Sequence, residues 1–189
     1  MGRIDPIPLD RMTAEQRSLH DVIAAQRSVG KVRGPFAVLL QAPDVGGRVS
    51  DMVNHLLSDT RVPHNLKELA IIVVARQYTA QYEWFIHARR AREVGVDAAA
   101  IEAIRHRRRP DFGDPDEALV YDMTMEMVER RRLGEIHYAR AVAALGEPAV
   151  VELVALIGFY VMVALFLVSF EVEVPDPEAV LLEPAEDGA

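Results

Sequence analysis

The sequence of 189 residues contains no cysteine. Disulfide bonds, thiolate metal sites, cysteine nucleophiles and dithiol redox chemistry are therefore excluded for the chain's own side chains. An excess of positive charge is also missing, because 21 lysines and arginines oppose 29 aspartates and glutamates. The resulting formal net charge of −8 argues against a nucleic-acid partner, since binding to phosphates requires a basic surface.

The amino terminus lacks the pattern of a secretory signal, because its basic residue, Arg3, is not followed by an apolar run. We therefore expect a cytoplasmic protein. The six histidines form no HExxH or similar ligand spacing, so we expect no metal site. A metal held jointly by Glu68, Glu83 and His87 is kept as an alternative.

Helix signals recur along the whole chain. Thr13 begins a capping box, and prolines stand at several further helix starts. Alternation typical of a strand occurs only over 169–174. We predict an all-α protein with an extended lead-in over 1–12, a single helical domain over 13–174 and an acidic, proline-containing arm over 175–189. Helices are predicted between Thr13 and Gly30, from Pro43, from Pro63, over about 79–94 and 97–104, from Pro115, over 136–145 and from Glu147.

The last predicted helix contains an uninterrupted apolar run of 16 residues from Leu153 to Val168. A membrane span needs about 20 residues, so length alone leaves a tail anchor open. Glu152 and Glu171 flank the run, and no lysine or arginine follows it as an interfacial anchor. We therefore predict a helix buried on every side, with no membrane contact, and a homo-oligomer that helps to bury it.

One segment in the middle of the chain holds the residues that could carry chemistry. In a helix, Glu83 and His87 lie on one stripe that should face the core, whereas Arg89 and Arg90 face elsewhere. Glu68 is an acid inside an almost wholly apolar helix and is expected to be paired, because an isolated buried carboxylate is costly. Two interpretations stay open: a carboxylate–imidazole pair suited to acid–base chemistry, or a structural polar network.

Over about residues 61–104 the sequence resembles the carboxymuconolactone decarboxylase and alkyl hydroperoxidase D superfamily. The resemblance implies a compact all-α fold with buried, mostly apolar core helices, assembled into trimers or hexamers. Shorter segments extend the similarity to longer members of the superfamily. The motifs that carry it are Arg61-x6-Glu68-Leu69-Ala70 and Tyr82-Glu83-Trp84-x2-His87-x3-Ala91-x3-Gly95, with Arg33-Gly34-Pro35 and Gly158-Phe159-Tyr160 outside them.

The two branches of this superfamily imply different chemistry. The hydroperoxidase branch has two redox cysteines, which correspond here to Ala80 and Glu83, and a further histidine, which corresponds to Tyr82. Because the thiolate is the nucleophile, peroxidase activity of that type is excluded. The decarboxylase branch uses no thiol and no cofactor. It implies cofactor-free decarboxylation, or related lyase or isomerase chemistry, on a small organic acid or lactone.

Within that chemistry, the catalytic residues implied by the resemblance are His87, Glu83 and Glu68. His87 would be the general acid/base, oriented by Glu83 or Glu68. The alternative is a catalytically silent oligomeric scaffold or small-ligand-binding protein of the same fold. An open pocket beside His87 with a carboxylate in reach would favour the enzyme, whereas a histidine sealed in a packed interior would favour the scaffold.

The expected substrate pocket takes residues from three parts of the chain. Tyr82, Trp84 and Tyr160 would line it. Either Arg33 or Arg61 would bind a substrate carboxylate, because a guanidinium pairs well with that group.

Overall fold

The computed structural model describes residues 2–26, 30–58 and 60–184. Within these ranges every regular element is a helix and no strand forms, which confirms the predicted all-α fold. The end of the predicted carboxyl-terminal arm, residues 185–189, lies outside the described residues. A 3₁₀ turn over Leu9–Arg11 precedes the α-helices, which are α1 (Ala14–Ala25), α2 (Pro35–Leu39), α3 (Pro43–Ser58), α4 (His64–Gln77), α5 (Gln81–Glu93), α6 (Ala98–Arg105), α7 (Pro115–Arg130), α8 (Glu135–Leu145) and α9 (Glu147–Ser169).

Side-chain caps fix several helix starts where the sequence predicts them. Thr13 and Gln16 form a complete capping box at α1, with each side chain bonded to the other's backbone N–H. The carboxylate of Asp97 accepts hydrogen bonds from two backbone N–H groups at the start of α6, and Asp114 accepts one at α7. Local sequence therefore determines these starts without help from tertiary contacts.

Helix α4 is the centre of the molecule. Its residues from Leu66 to Arg76 are all buried, and it packs against α5, α7 and α9. The sequence predicts this, because the helix is apolar on every side. Any polar group on α4 is consequently forced to find its partner inside the protein.

Helix α2 is not among the helices that the sequence predicts. Gly34 precedes it with a φ of +60°, and Pro35 occupies its first turn. Glycine adopts this backbone conformation without steric cost, and proline is already set to a helical φ. The pair therefore turns the chain sharply into five helical residues, two of which are buried.

Helix α9 is buried along one face within the single chain. Leu153 and Ala164 are fully buried, but Val151, Leu165 and Val168 on another side are 68%, 50% and 48% exposed. Within a single chain the other helices cover only one face of α9, and burial of the other face by a second copy stays a prediction. By length and composition α9 is the one helix of the described chain that could cross a membrane, and 39% of its most apolar window is buried.

The carboxyl-terminal arm returns to the helical body. Gln81 stands at the start of α5. Its side-chain oxygen accepts a hydrogen bond from the backbone N–H of Leu182 at 2.7 Å, and its side-chain nitrogen donates one to the backbone carbonyl of Leu182 at 2.9 Å. The Leu182 side chain is buried in the cluster that contains Leu69 and Trp84. The arm is therefore held against the start of α5.

Candidate functional site

His87 of α5 and Glu68 of α4 form a buried pair. Nδ1 of His87 lies 2.6 Å from Oε2 of Glu68, and both side chains are more than 90% buried. The ring of Tyr160, from α9, packs edge-on against the imidazole at 5.0 Å between centroids. Glu68 thus fixes one ring nitrogen, and the orientation of the ring is set from two sides.

The His87 side chain borders a cavity of about 780 Å³. This size lies within the usual range for small-molecule sites, about 300–1,000 Å³. Residues of α1, α2, α3, α5, α9 and the carboxyl-terminal arm form its wall. Most of that wall is apolar and includes Phe36, Val53, Ile86, Phe159 and Val163.

Glu83 borders the same cavity one helical turn before His87. It is 2% exposed, and neither of its carboxyl oxygens has a hydrogen-bond partner among the described residues. Burial raises the pKa of Glu83 well above its ordinary value, because the charged form loses its hydration. Glu83 therefore does not orient the imidazole in this structure; that role falls to Glu68.

Positively charged side chains surround the cavity. Arg33 lines it, and so do Lys31, Arg89 and Arg90. Arg89 makes a 3.6 Å ion pair with Glu93. The arrangement gives an apolar chamber with cations beside it, which suits a ligand that carries both a carboxylate and an apolar body.

Arg89 and Arg90 were missed as cavity residues by the sequence analysis. The signal that could have found them is the helical spacing of Tyr82, Ile86 and Arg90, four residues apart, beside Glu83 and His87. Tyr82, Ile86 and Arg90 therefore share one face of α5, and this face lies next to the face of α5 that packs on α4. Their helical angle places the arginines off the stripe of Glu83 and His87, but it does not show that the cavity also reaches their side of α5.

Tyr82 lines the cavity and approaches α2 closely. A Cβ atom at position 34 would lie 2.6 Å from the hydroxyl oxygen of Tyr82. Gly34 therefore leaves the space that the tyrosine ring occupies. This contact links the turn before α2 to the face of α5 that carries Glu83 and His87.

Two predicted pocket residues lie elsewhere, and the expectation is corrected for both. Trp84 is buried on the other side of α5, in the cluster with Leu69, and does not reach the cavity. Arg61 is exposed in the turn before α4, where its backbone N–H and guanidinium bind Glu152. A guanidinium committed to that carboxylate, outside the cavity wall, is not placed to bind a substrate there.

In the described ranges, no group of three or more histidine, aspartate or glutamate side chains is arranged to hold a metal ion. Glu68, Glu83 and His87 share the region, but Glu83 bonds to neither of the others. The geometry thus gives a hydrogen-bonded pair and a separate buried acid.

The segment that contains the site is similar to a known protein family. A search of curated proteins gave no match. Residues 43–124 match the sequence profile described as the Carboxymuconolactone decarboxylase family, and this segment contains Glu68, Glu83 and His87. This segment of the chain is thus similar to the carboxymuconolactone decarboxylase family.

Proposed function

We propose that the protein is a cofactor-free acid/base enzyme of the decarboxylase type, acting on a small organic acid or lactone. The observation that carries the proposal is the buried His87–Glu68 pair in the wall of an open cavity. His87 is the general acid/base and Glu68 its positioning residue. Glu68 holds Nδ1, so Nε2 is the nitrogen that exchanges a proton with the substrate.

The reaction needs no external electron acceptor when the lost carboxylate is conjugated to a carbonyl. The bond between carbon and the carboxylate breaks, CO₂ leaves, and the electron pair moves through the alkene to the carbonyl oxygen. His87 then gives a proton to carbon, and the carbonyl forms again. An apolar cavity favours this step because it removes water from the carboxylate that leaves.

Substrate binding in this proposal uses the cavity wall. Arg33 and Arg90 attract carboxylates, and the rings of Tyr82 and Tyr160 contact the body of the molecule. The open cavity beside His87 supports the enzyme over a silent scaffold, for which a tightly packed histidine is expected. We also propose that the protein is cytoplasmic and forms a homo-oligomer through the exposed apolar side of α9.

The direct test measures turnover of carboxymuconolactone and of a panel of unsaturated carboxylic acids and lactones. The release of CO₂ is the readout. The variant His87→Gln should lower kcat by about 10²–10⁴-fold, the usual contribution of a general acid/base. His137→Gln is the matched control, because His137 also bonds a glutamate, Glu126 at 2.8 Å, but lies outside the cavity wall. Equal activity of His87→Gln and the control would remove His87 from the mechanism.

A further inference from the structure

The sides of the cavity differ in polarity. Helix α5 and the segment before α2 contribute most of its charged side chains, among them Arg90 and Arg33. Helices α3 and α9 contribute a wall that, among the described residues, carries no charged side chain; its polar members are Asn54, Ser58 and the hydroxyl group of Tyr160. A ligand that fills the whole cavity therefore needs a charged end and an uncharged, mostly apolar remainder.

The apolar wall is long. Val45, Val49, Val53 and Leu57 all border the cavity and recur at every fourth position, so they form one stripe along α3. At a rise of about 1.5 Å per residue the stripe runs for about 18 Å. It begins at Val45, which is 54% exposed, and reaches Val53, which is buried, so it leads from the surface into the protein.

The volume of the cavity agrees with this length. Its volume of about 780 Å³ lies in the upper part of the usual range for small-molecule sites, about 300–1,000 Å³. Sites of that range enclose most of the surface of a drug-sized ligand. A compact acid of a few carbons would therefore leave much of the apolar stripe without contact.

Arg90 provides a place for the charged end beside the imidazole. His87 and Arg90 are three residues apart on α5, which makes them neighbours on the helix, and both border the cavity. Arg89 pairs with Glu93, whereas Arg90 forms no ion pair among the described residues. A carboxylate in the cavity would give Arg90 such a partner. A second carboxylate against α3 and α9 would lose its hydration where no cation replaces it.

We propose that the cavity binds an amphipathic monocarboxylic acid, with its carboxylate at Arg90 beside His87 and an extended apolar chain along the stripe of α3. This inference rests on the proposed function for the acidic nature of the ligand. It narrows the substrate from organic acids in general to acids with a long apolar chain, and it excludes compact diacids as the preferred ligand.

The chain is tested by calorimetry of the wild-type protein with hexanoate, octanoate and decanoate. Each added CH₂ group that reaches the apolar wall should raise the affinity about four-fold, which corresponds to about 0.8 kcal/mol. Octanol has the same number of carbons as octanoate but no charge, and it should bind at least about ten-fold more weakly. Equal affinities for the three acids, or for octanoate and octanol, overturn the inference.

A variant tests the stripe itself. Val49 borders the cavity in the middle of the stripe, so the larger ring of Val49→Phe takes space that the chain needs. We expect decanoate to bind at least about ten-fold more weakly to it than to the wild-type protein. Val22→Phe is the matched control, because Val22 is 49% exposed on α1 and lies outside the cavity wall. Equal decanoate affinity in Val49→Phe and the control overturns the inference, and the wild-type series decides it if Val49→Phe does not fold.

Binding and turnover separate failure of this inference from failure of the proposed function. Affinity that rises with chain length, without CO₂ release from any compound of the panel, refutes only the proposed decarboxylation. Turnover of carboxymuconolactone by a protein whose affinity does not rise with chain length refutes only this inference. If the protein binds none of the three acids and Val49→Phe lowers its molar mass in solution, the apolar wall is a contact between copies, and the inference is overturned.

Discussion

His87 and Glu68 are 19 residues apart in sequence and belong to different helices, yet Nδ1 and Oε2 lie 2.6 Å apart inside the protein. The chain contains a second pair of the same type, His137 and Glu126, at 2.8 Å. Only the first pair borders the cavity. The two pairs therefore differ in whether a ligand can reach them, and the second pair serves as an internal control.

Replacement of Glu68 by Gln tests its role as a positioning residue. The variant keeps a hydrogen-bonding side chain but loses the carboxyl group that contacts Nδ1 of His87. We expect kcat to fall while KM changes little, because Glu68 is not in the cavity wall. The double variant with His87→Gln should be little worse than His87→Gln alone, since the two residues act as a unit. Additive losses would contradict the pair mechanism.

The pH dependence of stability should reveal Glu83. Its pKa is raised in the folded protein above the ordinary value of 4.5, so the folded state binds a proton that the unfolded state has lost. Stability therefore falls as pH rises through the window from about 4.5 to the raised pKa, at about 1.4 kcal/mol per pH unit. Urea unfolding at several pH values should show this slope in the wild-type protein and not in Glu83→Gln. Parallel pH profiles for the two proteins would contradict it.

Gly34→Ala should destabilise the fold and disturb Tyr82. The new methyl group meets the tyrosine ring, and the residue must keep a φ of +60°. Gly30→Ala is the matched control, because Gly30 has a φ of +59° and no atom of the described residues lies within 4 Å of its missing Cβ. We expect the control to lose about 1 kcal/mol from backbone strain and Gly34→Ala to lose more. Equal losses in chemical unfolding would show that the ring moves aside at no cost.

The exposed side of α9 should mediate self-association. Leu165→Glu places a charge on that side, and we expect it to lower the molar mass measured by light scattering to that of one chain. Val22→Glu on α1 is the control, since Val22 is 49% exposed outside this surface. A wild-type protein that has the mass of one chain would contradict the homo-oligomer. Recovery from cells in detergent extracts alone would instead favour a membrane helix.

The sequence predicts much of this fold because its signals are local. Thr13, Asp97 and Pro115 mark helix starts that need no tertiary contact, and the apolar composition of α4 is enough to predict its burial. Helical spacing likewise places Glu83 and His87 on one inward face. The pairing of Glu68 follows from the cost of burying a lone carboxylate, although the sequence does not name its partner.

The incorrect placements all depend on contacts distant in sequence. Arg61 binds Glu152, which is 91 residues away, and no local sequence pattern indicates that partner. Helix α5 is covered on two sides, and Trp84 lies on the α4 side while Tyr82 and Glu83 lie on the cavity side. Helical spacing gives the angle between such residues but not which neighbour covers each side.

The fastening of Leu182 by Gln81 has a consequence at the far end of the chain. Before it reaches that point, the arm contributes Pro175 and Asp176 to the wall of the cavity. A molecule that rests against those two residues binds best while the arm is seated, so by mass action its presence makes detachment of the arm rarer. Protease cleavage after residue 170 should therefore slow as a ligand fills the cavity. The cleavage rate would then measure how much of the protein has ligand bound, before any product of the reaction is known.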